Sequence, residues 1–336
     1  MIGHRGRGIE QLIANLQAGL REVFVTERPV IISTSSATGL MEAAVRNGVG
    51  SGKVLSLVNG AFSSRFGEIA MACGHQTELW AVDWGQFHDP GELDERLGKG
   101  EYDAVTLSHS ETSTGVLQDL EAIARVCARY QGVMLLVDSV TGIAGAEVRT
   151  DDWGLDFVLT GSQKALALPP GLAFAVASAA MMDRSAVATN KGYYFDLIPL
   201  MKSLENSQTP STPAISLLYS LETQLGRISA EGIENRWSRH TAMQSATIDW
   251  VEEMRGEGVD VGILAPPGHR SPTVTCLTLP EGTTGPDVVT AMRDRGWVIG
   301  GGYARLGEST VRIGHMGDHN LEDLMDLLVT MGEILR

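Results

Sequence analysis

Seven short apolar runs, strung between Val30 and Ala177, constrain the fold of this chain more than any other feature. VIIS at Val30–Ser33, KVLSLV at Lys53–Val58, TELWAV at Thr77–Val82, AVTL at Ala104–Leu107, VMLLV at Val133–Val137, FVL at Phe157–Leu159 and AFAVA at Ala173–Ala177 all read as strands. Several are apolar at every position, which marks strands buried on both faces of a mainly parallel sheet. Windows with helical apolar spacing lie between them, among them Gly39–Asn47, Ser64–Cys73 and Leu120–Tyr130. This βαβα rhythm predicts an α/β layered domain that binds ligands at the carboxyl ends of its strands.

The texture changes near residue 230. Ile233–Arg255 reads as one long helix, followed by a strand at Thr273–Leu279, a helix after Pro286, a Gly-rich turn at Gly300–Gly302, a strand at Val311–Ile313 and a last helix from Leu321. The expected division is therefore a large domain over 1–230 and a small α+β domain over 231–336.

Composition narrows the function. The formal charge is 26 minus 41, or −15, an acidic balance that repels nucleic acid and anionic lipid. The longest apolar stretch, Gly171–Met182, falls short of the roughly 20 residues a spanning helix needs. The amino terminus, MIGHRGRGIE, has no apolar signal core. Cys73, Cys127 and Cys276 are far apart and form no C-x-x-C pair, which fits a reducing cytoplasm and argues against structural zinc. No nucleic-acid or membrane partner is expected.

Three places carry chemistry. Lys164, in LTGSQKALALPPG, follows a buried strand and lacks the carboxylate neighbours of a solvated face. It reads either as a desolvated amine for carbonyl chemistry or as a loop lysine reaching solvent. Asp138 ends the strand VMLLVD, at the ligand edge of the sheet or as a cap for the next segment. A lysine for an aldehyde, and a carboxylate that keeps a ring nitrogen protonated, are the pair that pyridoxal phosphate needs. Ser33–Thr38 with Gly39 reads as strand, small-residue loop and helix start, a place for a phosphate or an ordinary N-cap.

Seven strings in order, SSATGLMEAAVRN, NGAFSSRFGEIA, SHSETSTGVLQDL, LLVDSVTGIAG, TGSQKALALPPGLA, QTPSTPAISLLYSL and VRIGHMG, resemble the class V aminotransferases of fold-type I. The similarity is nearest to the alanine–glyoxylate and serine–pyruvate (serine–glyoxylate) branch. It implies a mainly parallel seven-stranded sheet, pyridoxal 5'-phosphate as cofactor, and a ping-pong cycle in a homodimer with shared active sites. By resemblance, Lys164 would form the Schiff base and move the proton, and Asp138 would pair with the pyridinium nitrogen. Phe62 would stack on the ring and Thr112 would lie near its phenolic oxygen. Ser36, Ala37 and Thr38 would cup the phosphate, with Gln163 beside the lysine. Thr212, with Thr209 as a second, would reach the phosphate from the partner subunit, and Arg312 would clamp the substrate α-carboxylate. Read locally, Phe62 could equally be core and Arg312 an outward strand residue.

Relatives usually carry a Gly-Pro-rich segment ahead of the stretch matching Gly3-His4-Arg5, one that wraps the partner subunit; this sequence starts at that stretch. The expected reaction moves the amino group of alanine or serine to glyoxylate or pyruvate, since no second cationic anchor stands out beside Arg312. Phosphoserine or aspartate is the alternative, kept open by His4-Arg5. A cysteine desulfurase would need a mobile nucleophilic thiol, and Cys276 reads as a buried strand residue. His109, His315 and His319 match no zinc template and read as structural, and Met181–Met182 as packing.

Overall fold

A computed structural model describes Gly3 and residues 5–336. The seven apolar runs form one sheet: β1 (Val30–Ser33), β2 (Lys53–Val58), β3 (Thr77–Ala81), β4 (Tyr102–Ser108), β5 (Met134–Asp138), β6 (Phe157–Gly161) and β7 (Ala173–Ala177). Their spatial order is β1-β7-β6-β5-β4-β2-β3. Only β7 runs against its neighbours, pairing antiparallel with both β1 and β6. Continuous apolar runs are required because both faces are covered. Leu55, Leu57, Val105, Leu135 and Val137 enter one core, while the alternate Val54, Ala104, Met134 and Leu136 enter the other.

Helices α1 (Arg7–Phe24), α2 (Ala37–Gly48), α3 (Ala61–Ala72), α4 (Pro90–Lys99), α5 (Leu120–Cys127), α6 (Ala179–Val187), α7 (Leu197–Glu205) and α8 (Ile215–Glu231) clothe the sheet. Helix α1 lies outside the windows expected from the sequence, although Ile9, Leu12, Ile13, Leu16 and Leu20 follow helical spacing and are buried. Its polar first residues concealed an amphipathic helix that packs on α8. Helix α3 begins three residues before the expected Ser64, because its amino terminus is capped by a side chain distant in sequence.

Beyond α8 the chain builds a second core. Helices α9 (Ile233–Gly256), α10 (Gly285–Asp294) and α11 (Leu321–Leu335) pack on a four-stranded antiparallel sheet of β8 (Gly262–Ile263), β9 (Val274–Thr278), β10 (Gly300–Gly301) and β11 (Thr310–Gly314), in the order β8-β9-β11-β10. Gly300–Gly302 is therefore not simply a turn. Its first two residues pair with Arg312 and Val311, a short strand that glycines cannot announce by alternating polarity. Among the described residues no helix is long and apolar enough to cross a membrane.

Candidate active site

The parallel register lines up the ends of β4, β5 and β6, with Ser108 opposite Asp138 and Asp138 opposite Leu159. Neighbours in register point to the same side, so Ser108 donates its hydroxyl to Asp138 Oδ2 at 2.9 Å. The Val140 N–H donates to Oδ1 at 3.0 Å. Burial dominates this carboxyl and pushes its pKa up to about 6, against the pull of those two bonds and the more distant charge of Arg65.

Lys164 lies three residues past β6, on a loop fastened at several points. Ser162 donates through Oγ to Pro169 O (2.7 Å) and through its N–H to Leu172 O (3.0 Å). Arg236, almost fully buried on α9, donates to Ala165 O at 2.8 Å while it pairs with Glu231 and Asp318. From the other side Gly317 closes on the loop. Its φ of 81° suits glycine, and a Cβ there would meet Ala167 Cβ at 3.1 Å and Lys164 O at 3.4 Å. Burial lowers the Lys164 amine below its ordinary value, Arg312 adds to the effect, and Asp138 opposes it.

The start of α2 presents free donors. Its N-cap, Ser36, makes no side-chain cap bond, so the first N–H groups of a 12-residue helix point out at its positive end. Phe62 stands in the first turn of α3, held by a residue that no local pattern singles out. Glu111, fully buried, accepts from the N–H groups of Phe62 (3.1 Å) and Ser63 (2.9 Å), the Ser63 hydroxyl (3.0 Å) and the Ser113 hydroxyl (2.6 Å). Thr112 follows directly, in the hairpin where Ser110–Glu111 pairs with Val116–Leu117.

Ser36, Ala37, Thr38, Phe62, Thr112, Asp138, Gln163 and Lys164 line one cavity, joined by Met41, Arg65, Ser110 and Val140. Arg312, on β11, stands beside this cavity, bonded to the backbone of Thr112. Its Nε donates to Gly301 O (2.8 Å) and NH1 to Thr112 O (3.2 Å), which aims the fork and leaves donors free. Thr212 is not brought there. It is exposed and borders a separate cavity with Thr34 and Tyr194, where Thr209 donates its hydroxyl to Ser211 O.

Arg5 donates to Thr209 O and Pro210 O, whereas His4 lies outside the described residues. His109 and His315 are buried and bonded to Ser139 and Thr275, each imidazole pushed down to about 4 by burial. The His319 carbonyl accepts from Arg239. Cys276 is buried in β9 with its thiol pushed up to about 11 by burial.

Arg65 corrects one expectation: a second cation does line the cavity. Tyr303 was also missed. It touches Arg65, with 3.4 Å between NH2 and the hydroxyl, and Phe62, with ring centroids 5.6 Å apart. No local pattern signals either residue.

The donor set fits pyridoxal phosphate. Among the described residues, the side-chain polar atoms of Ser36, Thr38, Thr112, Gln163 and Lys164 have no protein hydrogen-bond partner, yet all converge on this cavity. A phosphate would find helix N–H groups and hydroxyls, and an aldehyde would find an amine. A protonated ring nitrogen would find a buried carboxylate whose ionisation its charge favours.

A family model described as aminotransferase class-V matches residues 1–317. The chain is 34% identical over 340 residues to the soluble hydrogenase small subunit of Synechococcus sp. (strain PCC 6716), covering 99% of this chain and 87% of that one. Among solved structures, the alanine–glyoxylate aminotransferase of Nostoc sp. superposes with a TM-score of 0.93 at 29% identity, over 100% of this chain and 89% of the other. The subgroup IV aspartate aminotransferase of Thermus thermophilus gives 0.90 at 31% identity, over 100% and 92%.

Proposed function

This chain belongs to the class V aminotransferases, pyridoxal-phosphate enzymes of fold-type I, and from that premise we propose that it moves the amino group of alanine or serine to a 2-oxo acid such as glyoxylate or pyruvate in a ping-pong cycle. The observation that carries this reading is the convergence of Lys164, Asp138 and the unpartnered polar groups on one cavity, with the Arg312 fork beside it. The hydrogenase subunit is named for other chemistry; the side chains at this sheet edge support amino transfer.

Pyridoxal phosphate, when bound, supplies an aldehyde and a protonated ring that takes up the electron pair left at Cα. The chain's residues do the rest. The α2 amino terminus, with Ser36, Ala37 and Thr38, would hold its phosphate, Phe62 would pack against its ring, and Thr112 and Gln163 would offer it hydrogen bonds. Asp138 would keep the ring nitrogen protonated. Arg312 would take the α-carboxylate through the N–H donors it has left free and so orient Cα for Lys164. Lys164 Nζ, its basicity lowered by burial, takes that proton and moves it.

Residues 1–230 and 231–336 enter this reading as two domains that meet at the site. Thr212, exposed and away from its own chain's Lys164, would complete the phosphate site of a second copy, so the working form is an obligate symmetric homodimer. The exposed Tyr193, next to the Tyr194 that borders the same cavity as Thr212, supports a covered face there. A monomer in sedimentation that kept full activity would sink that part. Three free thiols support a reducing cytoplasmic setting.

One observation favours a second reading with aspartate as donor: Arg65 lines the cavity, and a dicarboxylate calls for two cations. The deciding experiment is a half-reaction. Holoenzyme is mixed with one amino acid at a time, without acceptor, and the visible cofactor band is followed. Bleaching by alanine or serine that glyoxylate or pyruvate reverses supports the first reading. Bleaching by aspartate alone supports the second, and no bleaching by any donor refutes amino transfer.

A further inference from the structure

Arg65 stands on α3, three residues after Phe62, and lines the cavity with its guanidinium. Among the described residues no carboxylate makes an ion pair with it. The carboxylate that feels its charge, Asp138, is turned to Ser108 and Val140. A guanidinium carries five N–H donors. Arg65 places one of them on protein, the long 3.4 Å contact to the Tyr303 hydroxyl, while its face lies 5.0 Å from the Phe62 ring centroid. The guanidinium is therefore oriented, partly desolvated and nearly unused.

Tyr303 connects it to the other cation of the site. The Arg312 guanidinium lies 5.6 Å from the Tyr303 ring centroid, so one tyrosine touches both forks. A second unpaired cation beside a site that Arg312 also serves is relieved by an anion. A planar fork with free donors matches a carboxylate in particular. We propose that Arg65, positioned by Tyr303, is a second anion anchor that takes the side-chain carboxylate of an acidic amino donor while Arg312 takes the α-carboxylate. This assignment rests on the aspartate reading above. On that reading Arg65 and Tyr303 set the preference for an acidic donor over alanine or serine.

The test uses holoenzyme and the variants Arg65→Met, Arg65→Lys and Tyr303→Phe. Two ratios are measured: the half-reaction specificity constants for aspartate over alanine, and the calorimetric affinities for succinate over propionate. Losing one partner of a desolvated charge pair lowers both ratios about 100-fold in Arg65→Met. Arg65→Lys recovers part of the loss, and Tyr303→Phe loses about tenfold through a misaimed fork. Unchanged ratios in Arg65→Met overturn the proposal, as does a wild-type enzyme that binds succinate no better than propionate. Should Arg65→Met fail to fold, unchanged ratios in both other variants overturn it instead. The two readings fail separately. If no donor bleaches the band but succinate binding still depends on Arg65, amino transfer falls and the anchor stands. If alanine or serine bleaches it and the ratios do not move, the anchor falls and amino transfer stands.

Discussion

Replacing Asp138 with asparagine removes a charge and little else. The amide oxygen can accept from the Val140 N–H, and the amide nitrogen can donate to Ser108 Oγ once that hydroxyl turns, so both present bonds have a counterpart. What disappears is a buried carboxylate whose pKa is raised from 3.8 to about 6. That interval, at about 1.4 kcal/mol per pH unit, corresponds to roughly 3 kcal/mol. The sign follows from proton counting. Below about pH 3.8 the carboxyl is protonated in both folded and unfolded chains and contributes nothing. Between 3.8 and about 6 the folded chain binds more protons, so stability falls as pH rises. Above 6 the full cost stays. Asp138→Asn should therefore stabilise the cofactor-free protein by about 3 kcal/mol at pH 8 and by little at pH 4. Urea unfolding midpoints of cofactor-stripped wild type and variant, from pH 4 to 8, check this. A stability difference that stays constant across that range would refute the reasoning, because it would show that desolvation does not govern Asp138. The same variant should hold the cofactor more weakly, as measured by titration of the visible band.

Lys164→Ala should reduce transamination at least about 100-fold, the effect of losing a positioned base, and borohydride should no longer fix the cofactor to the chain; covalent capture in the variant would remove Lys164 from its role. Arg312→Ala should raise the KM for the amino donor about 100-fold while the cofactor colour persists; equal donor affinity would take that arginine out of the site. Glu111→Ala leaves the N–H groups of Phe62 and Ser63 without their acceptor, so it should cost about 3 kcal/mol and shift the cofactor band as Phe62 loosens. Denaturant midpoints and absorption spectra of the holoenzyme measure both effects, and a destabilised variant with an unmoved band would separate Glu111 from the site.

What could be read from the sequence was what nearest neighbours decide. Apolar runs such as VMLLV specify a strand buried on both faces wherever it lies, and the acid that ends it must emerge at the sheet edge. Lys164 stood out for a similar reason, since a lysine among Gly, Ser, Ala, Leu and Pro has no local source of solvation or pairing. Short-range signals also limit what can be read. The Gly300–Gly301 strand exists because β11 offers an edge to pair with, and α3 begins at Ala61 because Glu111, 49 residues from Phe62, caps it. Arg65 and Tyr303 meet across 238 residues of chain, one on a helix of the large sheet and one beside the small sheet. Neither residue has a neighbour in sequence that hints at the other. Local patterning is enough to give the layers, the sheet edge and the two residues that suit an aldehyde and a ring nitrogen. Tertiary packing alone decided which cations share the cavity, because that depends on how two separate cores dock and not on the periodicity of either.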